Sequence, residues 1–132
     1  MEESELRSVP LFESLTTEER RAVAQYADEI EAEDGTELVR QGEFAYEFFV
    51  IEEGTAEVTR DGEHVADLGP GDFLGEMGIV EHAVRNATVA TTSPARLIVM
   101  TEQALRSMAR LNPGVADRIK AAVEERCPTL LS

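Results

Sequence analysis

The sequence predicts an α+β domain: a set of short antiparallel strands closed into a barrel or sandwich, with one helix before it and two after it. Two observations carry this. Apolar spacing is helical after Thr16, strand-like from about residue 30 to 100, and helical again from about 101 to 126. Turn residues divide the middle stretch at the short spacing of all-β cores, about every 8–12 residues. With 132 residues the chain has room for one domain, 1–132, around a single core.

The N-terminal helix opens on Thr16-Thr17-Glu18-Glu19, a capping box in which the Thr16 hydroxyl and the Glu19 carboxylate satisfy each other's backbone N–H. Leu15 ahead of it and Ala22, Val23 and Tyr26 behind it form the apolar stripe, with Pro10-Leu11-Phe12 as lead-in. Strands follow at Thr36–Val39, Phe48–Ile51, Thr55–Thr59, His64–Leu68, Thr88–Thr91 and Arg96–Met100. Between them stand Asp34-Gly35, Gln41-Gly42, Glu53-Gly54, Asp61-Gly62, Gly69–Asp72 and Ser93-Pro94, and the Asp61-Gly62 pair signals a tight hairpin. Thr101 then caps a helix with Leu105, Met108 and Leu111 on one face. Asn112-Pro113 restarts the last helix, along which Val115, Ile119 and Val123 recur as core or as a dimer seam.

Charge narrows the function classes. Acidic residues outnumber basic ones 27 to 12, a formal charge of −15 at pH 7. Such a field opposes nucleic acid and anionic membranes, so neither is expected as a direct partner. A small anion needs a local arrangement of donors, which makes each arginine's position informative. Cys127 is the only cysteine and His64 and His82 the only histidines, so thiolate clusters, a histidine-rich metal centre and a cupin-like metal enzyme are not expected. No apolar run reaches the roughly 20 residues of a membrane span. The acidic start Met1-Glu2-Glu3-Ser4-Glu5 is unlike a signal peptide, and a cytoplasmic protein is expected.

One segment does not fit a plain barrel. Phe73-Leu74-Gly75-Glu76-Met77-Gly78-Ile79-Val80 and Arg85-Asn86-Ala87-Thr88-Val89 enclose a connection longer than a hairpin loop. Gly75 and Gly78 let the backbone approach a ligand, and a short helical turn starting near Gly78 would aim N–H groups at an anion. Arg85 brings a planar fork suited to two phosphate oxygens, with Asn86 and Thr88 as short polar neighbours. Glu76 suits a sugar hydroxyl, so the pair reads ribose beside phosphate.

Two stretches here resemble the cyclic-nucleotide-binding domains of catabolite activator proteins, cyclic-nucleotide-dependent kinases and cyclic-nucleotide-gated channels. The first is Leu38-Val39, Gly42-Glu43, Ala45, Phe48–Ile51 and Gly54. The second, Leu74–Ile79 followed by Arg85–Val89, is similar to that family's phosphate-binding cassette. The resemblance runs from about Phe12 to Glu125 and implies an antiparallel double-stranded β-helix, a jelly-roll-like barrel. It implies that Glu76 accepts the ribose 2′-OH and Arg85 pairs with the exocyclic phosphate oxygens. The N–H groups of Gly78 and Ala87 would donate to the same phosphate, and Gly75 would let the ribose lie close. Asn86 replaces the usual Ser, Thr, Ala or Gln, and Val84 a frequent proline. No aromatic follows Phe73, so a lid over the base would be aliphatic or an arginine such as Arg118 or Arg126.

The expectation is a non-enzymatic regulatory sensor with no required cofactor, whose ligand is cyclic AMP or possibly cyclic GMP. Its alternative is an interaction module that keeps the barrel without nucleotide control. Only 32 residues follow Met100, too few for a helix-turn-helix beyond the hinge helices. The output is therefore expected in a downstream effector, a homodimer through the C-terminal helix, or a longer enzyme, channel or transporter.

Overall fold

A computed structural model describes residues 2–7, 9, 12, 13, 15–43, 47–74, 87–115, 117, 118 and 121. Two helices, not one, precede the strands: α1 (Glu3–Leu6) and α2 (Thr17–Tyr26). Sequence reading missed α1 because four residues show no helical period; ion pairs hold it instead. Glu3 bridges Arg7 at 3.1 Å and Arg20 of α2 at 2.9 Å, and Arg20 also donates to the Leu15 carbonyl. α2 begins as its capping box requires: Thr16 Oγ1 accepts from Glu19 N at 3.2 Å, and Glu19 Oε1 accepts from Thr16 N at 2.9 Å.

Among the described residues eight strands follow: β1 (Asp28–Ala32), β2 (Glu37–Val39), β3 (Glu47–Glu53), β4 (Ala56–Arg60), β5 (Glu63–Leu68), β6 (Phe73–Leu74), β7 (Thr88–Thr91) and β8 (Ala95–Thr101). They form two four-stranded antiparallel sheets in the orders β1-β8-β3-β6 and β2-β7-β4-β5. This is the jelly-roll-like arrangement expected. Two strands had no separate forecast. β1 is an acidic edge strand, DEIEA, which pairs with β8 from Asp28↔Val99 to Ala32↔Ala95 while its residues stay largely exposed. Acidic residues on an edge keep it from pairing with other chains. β6 is two residues long, set by Phe49↔Leu74 and Val50↔Phe73.

The inner strands of the first sheet, β3 and β8, are buried on both faces. Side chains alternate along a strand, so Phe48, Val50, Ile98 and Met100 turn towards Leu6, Phe12, Val23 and Met108 of the helical layer. Phe49, Ile51, Leu97 and Val99 turn towards Val58, Leu68 and Val89 of the second sheet. That is why β3 and β8 read as unbroken apolar runs, whereas β4 and β7 alternate buried and half-buried positions. Phe48 and Phe73 meet with ring centroids 6.2 Å apart. The β4–β5 hairpin turns on Asp61 and Gly62, both left-handed at φ 54° and 80°, as a type I′ turn demands.

α3 (Glu102–Leu111) starts at Thr101, whose hydroxyl accepts from Ala104 N at 3.1 Å. Asn112 closes it by donating to the Met108 carbonyl at 2.7 Å, and its own carbonyl accepts from Val115 N at 3.1 Å. Residues 113–115, 117, 118 and 121 are helical again. Met108 and Val115 are buried in the helix-side core, but Leu111, expected on the same stripe, is 64% exposed. The chain turns at Asn112, and the next buried place goes to Val115. Ile119 and Val123 lie outside the described residues. Among the described residues, no helix is long and apolar enough to cross a membrane.

Candidate functional site

The segment singled out by its glycines and Arg85 connects the two sheets. Its first end is Leu74 on β6, fully buried against β3, and its far end is Ala87, buried between the sheets ahead of β7. Gly75, Glu76, Met77, Gly78, Arg85 and Asn86 lie outside the described residues, as do Val84, His82 and Arg126. Ala87 and Thr88 are described, and they locate the point where the segment returns to the barrel. The Ala87 methyl packs in the intersheet core. Thr88 is half-buried opposite Thr59 of β4.

Thr88 is held by a residue that sequence reading took for a turn former only. Its Oγ1 accepts from the backbone N–H of Gln41 at 2.9 Å. The Gln41 side chain in turn grips the tip of the β4–β5 hairpin: Nε2 donates to Asp61 Oδ1 at 2.8 Å, and Oε1 accepts from Asp61 N at 2.9 Å. Three stretches far apart in sequence thus meet beside the segment's return. The only signal available was a Gln before Gly42 and an Asp at a hairpin tip, each common in turns.

Of the two arginines considered for a lid, Arg118 lies among the described residues. Its Nη1 donates to Glu19 Oε1 in the first turn of α2. The Glu19 carboxyl sits below its ordinary range, first through the backbone N–H of Thr16 and further through Arg118. The contact ties the C-terminal helical segment to the N-terminal one.

Two other titratable groups among the described residues stand apart from this region. His64 lies on β5, 3.0 Å from Glu57 and 3.6 Å from Asp67, half-exposed on the second sheet. Among the described residues, no group of His, Cys, Asp and Glu is placed to hold a metal ion. Glu52 on β3 is different. Burial, then its hydrogen bond with the Glu29 carboxyl, pushes its carboxyl from the ordinary 4.5 up to about 7; Glu5 of α1 adds to this and Arg96 opposes it. Its Oε1 is buried without a partner among the described residues. The folded chain therefore holds this proton more tightly than the unfolded chain. The contribution of Glu52 to stability is therefore full below the ordinary carboxyl value and is lost as pH rises through about 7. Glu52→Gln is expected to flatten that decline and raise the melting temperature above neutral pH, read by thermal melts at about pH 5 and about pH 8. An undiminished slope in the variant would place the proton elsewhere.

Comparison with known proteins agrees with the fold. A family model described as "Cyclic nucleotide-binding domain" matches residues 29–112, from β1 to the end of α3. The cAMP-dependent protein kinase regulatory subunit of Schizosaccharomyces pombe is 35% identical over 96 residues, 72% of this chain and 23% of that protein. Its counterpart from Mycosarcoma maydis is 38% identical over 122 residues, 86% of this chain and again 23% of that protein. Among solved structures, the regulatory domain of Toxoplasma gondii PKA, co-crystallised with cAMP, superposes with a TM-score of 0.77 at 26% identity, covering 93% of this chain and 48% of that one. The chain spans about a quarter of the length of these curated relatives.

Proposed function

The chain belongs to the cyclic nucleotide-binding domain family, and from that premise we propose that it is a regulatory sensor whose ligand is cyclic AMP. The observation that carries this reading is the complete cassette, Leu74–Ile79 and Arg85–Val89, inside the matched residues. In it Arg85 pairs with the cyclic phosphate, and the N–H groups of Gly78 and Ala87 donate to the same oxygens. Glu76 accepts from the ribose 2′-OH, and Gly75 gives the sugar room. Met77, Asn86 and Thr88 complete the wall. A local cluster of this kind is needed because the chain's overall charge of −15 repels anions.

Cyclic AMP is favoured over cyclic GMP by the relatives, which include cAMP-dependent kinase regulatory subunits and a regulatory domain crystallised with cAMP. Asn86 carries an amide where a hydroxyl would favour guanine. Binding acts as a population shift of the C-terminal helices against the barrel, bounded by the ligand's differential affinity for the two states. The domain performs no reaction in this reading; a partner or a further domain supplies the output.

Isothermal calorimetry with each nucleotide tests it. Saturable heat with cyclic AMP, and a weaker response to cyclic GMP, is expected. No heat and no thermal shift at ligand concentrations on the order of a millimolar would sink the sensor reading and leave the barrel as an interaction module.

A further inference from the structure

We infer that Gln41 is a positioning residue for the ligand site, a clamp that fixes where the binding segment returns to β7; the inference rests on the reading just proposed. Three observations converge. The Gln41 backbone N–H holds the Thr88 hydroxyl at 2.9 Å, one residue after Ala87. Its side-chain amide is locked in one orientation, because Asp61 presents an N–H and a carboxylate oxygen side by side, 2.9 and 2.8 Å away. Asp61 can do so because it sits in the left-handed region, φ 54°.

None of this is needed for packing. Gln41 and Asp61 are exposed, and Ala87 and Val89 are anchored in the intersheet core on their own. What the clamp sets is the rotation of the backbone at residues 87 and 88, beside the Ala87 N–H that the proposed reading gives to the phosphate. The consequence belongs to ligand affinity more than to fold stability.

A donor–acceptor exchange tests this. Gln41→Glu sets two carboxylates face to face and breaks the grip. Gln41→Glu combined with Asp61→Asn reverses the partners, restores one acceptor and one donor, and leaves the net charge unchanged. Asn is at home at a left-handed position. Affinity for cyclic AMP, read by calorimetry, is expected to fall about tenfold in Gln41→Glu and to return to within about threefold of wild type in the double variant. Wild-type affinity in Gln41→Glu, or no recovery in the double variant, overturns the inference. Amide exchange at Thr88 and Val89 in the ligand-free chain gives a readout independent of any nucleotide. It should quicken in Gln41→Glu and slow again in the double variant. If the wild-type chain takes up no cyclic nucleotide, the proposed function fails, and unchanged exchange in Gln41→Glu then overturns the clamp separately.

Discussion

Replacing Arg85 with alanine is expected to abolish measurable cyclic-nucleotide binding, a loss of about a hundredfold or more in affinity. Hydrogen bonds to a charged partner contribute about 1.5–3 kcal/mol each, and a guanidinium gives a phosphate two of them. The effect is larger here than on a neutral surface, because the chain carries −15 even with Arg85 in place and its loss makes the surroundings more negative still. Calorimetry with cyclic AMP reads the loss, and the melting temperature of the ligand-free variant checks that the fold is intact. Retained affinity in a folded Arg85→Ala chain would move the phosphate site away from the cassette.

Gly54→Ala is expected to produce a large loss of stability from a single methyl group. Gly54 closes the β3–β4 turn at φ 97°, and a Cβ there would meet the Pro94 carbonyl oxygen at 2.5 Å and the Ala95 Cα at 2.8 Å. Neither obstacle is a side chain that can swing away. The two turns are also sewn together, since Thr55 N donates to Ser93 Oγ at 3.0 Å and Thr92 N donates to the Thr55 carbonyl at 2.9 Å. Strain at φ together with the backbone overlap amounts to about 3 kcal/mol, and for a domain of this size the melting temperature should drop by about 10 °C. A variant melting within about 3 °C of wild type would show that the turns separate easily.

The parts of the fold legible in the sequence are those whose cause is local. Thr16 and Thr101 cap helices through partners three residues away, and Asp61-Gly62 turns its hairpin through its own backbone. β1 was not legible, since Asp28, Glu29 and Glu31 give no apolar alternation and its place is set by β8 some 70 residues on. The proposed site divides the same way. Its cassette is a local motif, so Glu76 and Arg85 can be proposed as ligand groups from their spacing and resemblance. The Gln41 clamp could not, because its partners stand 20 and 47 residues away. Nor could the pairing of Arg118 with Glu19, 99 residues apart.

The double burial of β3 and β8 has a consequence for how such a domain can diversify. Neighbouring residues on β8 answer to different surroundings: Leu97 to the barrel interior and Ile98 to the helices. Two selective demands are thus interleaved, letter by letter, along the same strand. Helix-facing letters can change to suit the helical layer while barrel-facing letters keep the two sheets together. Along β3 and β8 a change felt by the helices thus sits a single peptide bond from a change felt by the second sheet.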